Sequence, residues 1–349
     1  MASSLDMAFR LAANTARVGW FYGVNRLMER SFRPRNGRGG APVEITRPVP
    51  TQQELFADLR NLVIADADDA RRGIHRALEL PPARLSAHLG RLRAMLRDVP
   101  MSAERRRQGV HDTVRDYVDA RDLPDYYAQD FHFQTGGHLA PEAARLYDVQ
   151  VETLFYGSAD VMRRRAFRPI HEALAGRDQR AVTLLDIACG TGRFLRDVRL
   201  TYPRLDLAGL DLSPAYLAEA RSHLADLRPS DLIEANAEAI PRDAESCDIV
   251  TSIFLFHELP PEVRTTVAEE IARVLKPGGL FVLVDSLQFA DKPDWDGLLE
   301  GFPQRFHEPY YRHYLTDDLA ARFHAAGLDP VGTDLAFLSK VMTFRKPGR

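Results

Sequence analysis

Short apolar runs alternate with helical stretches through the C-terminal half of the chain. Residues 182–187 are apolar apart from Thr183 and Asp186, the composition of a parallel strand covered on both faces. Gly190 and Gly192 mark a turn behind it, and Arg193 and Phe194 open a helix. Leu207-Ala208-Gly209-Leu210-Asp211 reads as a second strand and residues 247–253 as another, while residues 280–285 follow the turn Lys276-Pro277-Gly278-Gly279. A helix over 316–326 and strands near 330–338 and 341–345 close the chain. Strands that alternate with helices predict an α/β fold around a parallel sheet.

The N-terminal half has a different texture. Residues 1–32 are helix-prone and place Met7, Phe9, Leu11, Val18, Trp20, Phe21, Leu27 and Met28 among Arg10, Arg17, Arg26 and Arg30. Such a basic, aromatic, amphipathic segment suits peripheral contact with an anionic membrane, packing on its own protein, or a homodimer contact. A Gly/Pro-rich linker follows over 33–42. Helical character resumes over 53–65, 68–78, 83–96 and 102–120, with Thr51 and Glu54 as a capping box and Ser102 as a cap. The expected parts are a basic N-terminal segment with linker (1–45), a helical accessory module (46–122), an aromatic-rich segment (123–175) and an α/β core (176–349) with an insert at 286–315.

Composition narrows the function. A chain of 349 residues with 45% hydrophobic content can bury a large core, and a net charge of -3 gives no global basic field for nucleic acid. Cys189 and Cys247 do not form a disulfide framework, and no apolar run approaches the roughly 20 residues of a membrane span. A cytoplasmic protein, with the option of peripheral membrane association, is the expectation. The histidines His132, His138, His257, His307 and His313 show no spacing of a known metal motif, so no metal is expected.

Ligands of such sheets bind beyond the carboxyl ends of the strands. Asp211 ends its strand about 20 residues past the glycine turn, where a carboxylate can accept ribose hydroxyl protons. Leu195 stands where the third small residue of a dinucleotide fingerprint belongs, which disfavours a nicotinamide cofactor and an oxidoreductase. Asp186 can meet a ligand's ammonium group. Together, Asp186-Ile187-Ala188-Cys189-Gly190-Thr191-Gly192 and Asp211 resemble the class I S-adenosylmethionine-dependent methyltransferases. Asn236-Ala237-Glu238 after the third strand, Phe256-His257-Glu258 after the fourth and Arg273-Val274-Leu275-Lys276-Pro277-Gly278-Gly279 before the fifth extend that resemblance over residues 145–349. Within the family the core is similar to the ubiquinone/menaquinone-type C-methyltransferases and their small-molecule relatives, although its long N-terminal module and Phe256-His257-Glu258 depart from the quinone enzymes.

The resemblance implies a doubly wound, Rossmann-like, seven-stranded sheet, mostly parallel with its last strand antiparallel. It implies that residues 123–175 form a lid, and S-adenosyl-L-methionine as cofactor, held by Asp186, Ala188, Gly190, Gly192, Asp211, Leu212, Asn236 and Ala237, with Tyr147 from the lid. A small aromatic or lipophilic acceptor, methylated on carbon or oxygen, would meet Tyr126, Tyr127, His132, Phe256, Tyr310 and Tyr311. The residue type suited to take the acceptor's proton is histidine, first His257, then His307 oriented by Glu308. A non-catalytic S-adenosylmethionine-binding scaffold or regulator is the alternative reading.

Overall fold

The computed structural model of the protein describes residues 4–32, 44–76, 85–116, 123–134, 136–228 and 230–348. The N-terminal half holds α1 (Ser4–Phe32), α2 (Gln52–Arg71), α3 (Leu85–Gln108), α4 (Pro141–Leu154), α5 (Ala159–Arg164) and α6 (Phe167–Leu174). Alternation then begins with β1 (Thr183–Ile187), α7 (Arg193–Thr201), β2 (Asp206–Asp211), α8 (Pro214–Leu224), β3 (Asp231–Glu234), β4 (Cys247–Ile253), α9 (Pro261–Val274) and β5 (Leu275–Ser286). The chain closes through α10 (Asp296–Arg305), α11 (Tyr311–Tyr314), α12 (Leu319–Ala325), β6 (Asp329–Ala336) and β7 (Ser339–Arg345).

The strands form one sheet in the order β3-β2-β1-β4-β5-β7-β6. β1 pairs in parallel with β2 on one side and β4 on the other, so the chain reverses direction across the sheet there and opens a crevice at the carboxyl ends. β7 runs antiparallel to both its neighbours, as the resemblance implied. Leu184, Leu185 and Ile187 are fully buried, which is why this strand reads as a continuous apolar run. α9 buries Val263, Val267 and Ile271 at helical spacing on the sheet.

Packing around the glycine turn explains Leu195. A dinucleotide fold keeps a small residue on the helix; here the space is cleared on the strand. A Cβ on Gly209 would lie 2.5 Å from Leu195 Cδ1 and 2.8 Å from Cys189 Sγ.

Two helical expectations change. α2 runs unbroken to Arg71 across the expected gap at 66–67, because Asp66 there is buried and paired, as is Asp69: Arg164 Nε donates to Asp66 Oδ1 at 2.7 Å and Arg165 Nη1 to Asp69 Oδ2 at 2.7 Å. α3 continues through Pro100, anchored by buried Met95 and Val99, and Ser102 bonds Asp98 inside the helix instead of capping a new one. Only a 3-10 turn, Thr113–Asp116, follows. The linker over 33–42 lies outside the described residues, as do 77–84 and 117–122. The Thr51–Glu54 capping box is present. The closing helix starts at Leu319, capped by Asp318, instead of at Thr316.

α1 packs Phe21 and Val24 with Leu92, Met95, Leu146 and Val149, and Arg17 binds Asp160 and Glu152 at 3.0 and 2.9 Å. Phe9, Trp20 and Leu27 stay exposed. Gly209→Ala should lower unfolding stability by about 1–3 kcal/mol, the usual cost of an overpacked core, as read by urea denaturation.

Candidate functional site

Three of the parallel strands carry an aspartate at or next to their carboxyl ends: Asp186 on β1, Asp211 on β2 and Asp285 on β5. Asp211 Oδ2 accepts the Gly190 N–H at 2.7 Å and Oδ1 the Ser213 N–H at 2.8 Å. Gly190 has φ +54°, a left-handed conformation that presents its N–H to this carboxylate. Burial pushes the Asp211 carboxyl up, and these two backbone bonds oppose that shift. Each oxygen keeps a second lone pair for a ligand hydroxyl.

A cleft opens beside Asp211 at the carboxyl edge. Ala188, Gly190, Asp211, Leu212, Asn236, Ala237 and Tyr147 line it, seven of the nine residues expected to hold a cofactor. Gly192 does not. Its φ of +74° starts α7, and a Cβ there would lie 3.0 Å from Ala220 Cβ, so its role is helix packing. Asp186 lies below the cleft, 1% exposed, and accepts one bond, from Thr251 Oγ1 at 2.7 Å. Burial pushes its carboxyl up to about 7. With a single hydrogen bond, its charged form is poorly compensated.

The segment before β1 roofs the cleft. Tyr126 donates to Glu238 Oε1 at 2.6 Å, and Asn236 Nδ2 donates to the same oxygen at 2.9 Å, so the roof is hydrogen-bonded to the loop after β3. Tyr127, His138, Tyr147 and Tyr216 complete the aromatic lining. Of the residues expected to meet an acceptor, Tyr126 and Tyr127 therefore reach the cleft.

The others take different places. Phe256 is fully buried against Phe323, a core residue, because its N–H is drawn in by Asp285 Oδ2 at 2.8 Å. Tyr311 is buried with its hydroxyl on Ser286 Oγ at 2.5 Å, and the Tyr310 hydroxyl accepts from Gln129 at 3.4 Å. His307 does not pair with Glu308: its Nε2 bonds Gln129 Oε1 at 2.7 Å and its ring stacks on His111 at 4.3 Å. Burial and the neighbouring His111 and His132 hold it down at about 4, so it is neutral and serves as an anchor for the insert. Glu308 instead bonds His132.

His257 Nδ1 bonds Asp285 Oδ1 at 2.6 Å. Burial opposes charge on this imidazole, but Asp285 outweighs it and lifts the pKa to about 9. His257 is not itself a lining residue; Glu258 stands between, with Oε1 3.9 Å from His257 Nε2 and Oε2 3.2 Å from His138 Nε2. Burial would raise the Glu258 carboxyl, yet His138 and then His257 and His132 hold it well below its usual range. Three residues at or behind the cleft were not among the expected site residues: His138, Glu258 and Asp285. Asp285 repeats the acidic strand end of Asp186 and Asp211, and that signal was available.

Comparison with known proteins agrees with this geometry. Residues 184–279 match the family described as "Methyltransferase domain". A ubiquinone/menaquinone biosynthesis C-methyltransferase from Syntrophotalea carbinolica is 32% identical over 43% of this chain and 60% of its own length. A demethylmenaquinone methyltransferase from Lactococcus lactis is 33% identical over 31% of this chain and 44% of its own. A fatty-acid O-methyltransferase from Mycolicibacterium smegmatis is 27% identical over 46% and 61%. The chain thus spans about half of the curated relatives it matches. A solved SAM-dependent methyltransferase from Aquifex aeolicus is 16% identical with a TM-score of 0.43, covering 60% of this chain and 99% of that one. The domain over residues 184–279 belongs to the class I S-adenosylmethionine-dependent methyltransferases.

Proposed function

We propose that the protein transfers a methyl group from S-adenosyl-L-methionine to a carbon or oxygen of a small, lipophilic acceptor. The observation that carries this reading is the cleft at the carboxyl edge, where Asp211 and Asn236 stand under an aromatic roof of Tyr126, Tyr127 and Tyr147. The donor supplies an electrophilic methyl group with its own leaving group. Asp211 would hold its ribose, the Asn236–Ala237 segment its adenine, and Asp186 its ammonium side. The protein's own part is alignment and exclusion of water.

A lipophilic acceptor is supported by the tyrosines of the roof and by Phe254 and Leu255 at the end of β4. Relatives named for quinone and fatty-acid methylation support the same class. His257, fixed by Asp285, would take the acceptor's proton through Glu258, the carboxylate that reaches the cleft. A peripheral membrane contact through Phe9, Trp20 and Leu27 of α1 would suit delivery of such an acceptor.

Titration calorimetry should show saturable S-adenosylmethionine binding to the intact chain, weakened at least about tenfold by Asp211→Ala, the loss of a charge-assisted pair. Absence of binding to the folded protein would sink the assignment. With an acceptor that must lose a proton, kcat should rise through neutral pH toward about 9, because His257 accepts a proton only when neutral. His257→Ala should lower that rate by about 10²–10⁴-fold.

Asp186 makes a separate, donor-free prediction. Its raised pKa means the folded state holds an extra proton between about pH 4 and 7, so stability falls as pH climbs through that window. Asp186→Asn should flatten this slope and stabilise the unliganded protein at pH 8 by up to about 4 kcal/mol, while abolishing donor binding. Urea melts at pH 5 and pH 8 read the difference.

A further inference from the structure

Beside the cleft, His132, Glu258 and Glu308 each offer one ligand atom, and these atoms all lie within 4.8 Å of one another. They arrive from three separate segments: the 3-10 turn Phe131–Phe133, the 3-10 turn Phe256–Glu258 that follows β4, and the insert between α10 and α11. That origin is why no local spacing announces them. We propose that these three side chains form a binding site for a divalent transition-metal ion at the edge of the donor cleft.

Glu308 carries the argument. Its residue is 3% exposed, its Oε1 bonds His132 Nε2, and its buried Oε2 has no hydrogen-bond partner. A buried carboxylate oxygen left bare carries an uncompensated desolvation cost. A cation bound there removes that cost. Ligands at about 2.1 Å from a metal lie about 3–4 Å apart, so the three side chains would close modestly around the ion.

Mixed imidazole and carboxylate donors select Mn²⁺, Fe²⁺ or Zn²⁺ over Ca²⁺. Three protein ligands leave coordination positions open, and Glu258 borders the cleft, so those positions would take water or an acceptor oxygen. The site stands on its own residues and does not depend on the methyl-transfer reading. It is therefore tested without donor or acceptor.

The intact chain, stripped with a chelator, is titrated with Mn²⁺ alone and followed by electron paramagnetic resonance. The expected result is about one bound ion per chain, with ¹⁴N coupling from one imidazole, displaced by Zn²⁺. Glu308→Gln, nearly isosteric, and His132→Ala should each weaken binding by at least about tenfold, and His132→Ala should erase the ¹⁴N coupling. Thermal melts confirm that each variant is folded. No uptake of Mn²⁺ or Zn²⁺ at submillimolar concentration overturns the proposal, as does binding unchanged in both variants. Should a variant fail to fold, a bound Mn²⁺ spectrum of the parent chain without ¹⁴N coupling overturns it equally. Donor affinity, measured by calorimetry on metal-free protein, is read independently of all these outcomes.

Discussion

Burial of carboxylates at one edge of a parallel sheet is the constraint from which the site follows. Asp186, Asp211 and Asp285 sit at or beside the ends of β1, β2 and β5 with 1%, 8% and 0% exposure. An ionised carboxylate taken from water needs partners, and each of the three finds a different number. Asp285 has His257 and the N–H groups of Phe256 and Ser286, Asp211 has two backbone N–H groups, and Asp186 has Thr251. The gradient runs from a fully satisfied group, which positions protein, to a nearly bare one. A single repeated feature thus takes different degrees of satisfaction from the chemistry of its neighbours.

The same rule organises the helical half, with arginine as the answer. Asp66, Asp69 and Asp160 are buried there and meet Arg164, Arg165 and Arg163, while Arg17 and Arg193 also reach Asp160. Arg193 opens α7 directly behind the glycine turn, and Arg17 belongs to α1. Asp160 therefore ties the N-terminal helix and the helix of the binding turn to one carboxylate, which burial opposes and those arginines hold well below its usual range. Guanidinium groups suit the task because their fork serves several acceptors at once. Part of the chain's arginine content is thus spent inside.

What could be read ahead of the structure was local. The strand, glycine turn and acidic strand end over 182–211 specify themselves through backbone conformation and burial, and Asp211, Asn236 and Gly190 all line the cleft. What could not be read depends on contacts between distant segments. Phe256 and His257 are adjacent, yet Asp285 from another strand draws one into the core and holds the other by its ring. His307 and Glu308 are adjacent too, and their partners, Gln129 and His132, lie 178 and 176 residues away in sequence. Helix continuity across 66–67 escaped for the same reason: Asp66 is held inside α2 by Arg164, a residue 98 positions away.

The roof and the donor loops form one unit. Tyr126 bonds Glu238 after β3, Ser213 Oγ after β2 donates to the His138 carbonyl at 2.7 Å, and Thr191 Oγ1 in the glycine turn donates to Asp148 of α4 at 2.7 Å. These three fastenings of the roof land on loops at the carboxyl edge, following β1, β2 and β3. A ligand that orders those loops also orders the roof, and a roof that settles first pre-shapes the loops. Coupling of this kind needs no lever or hinge, because the groups that would bind donor and the groups that cover it share the same backbone.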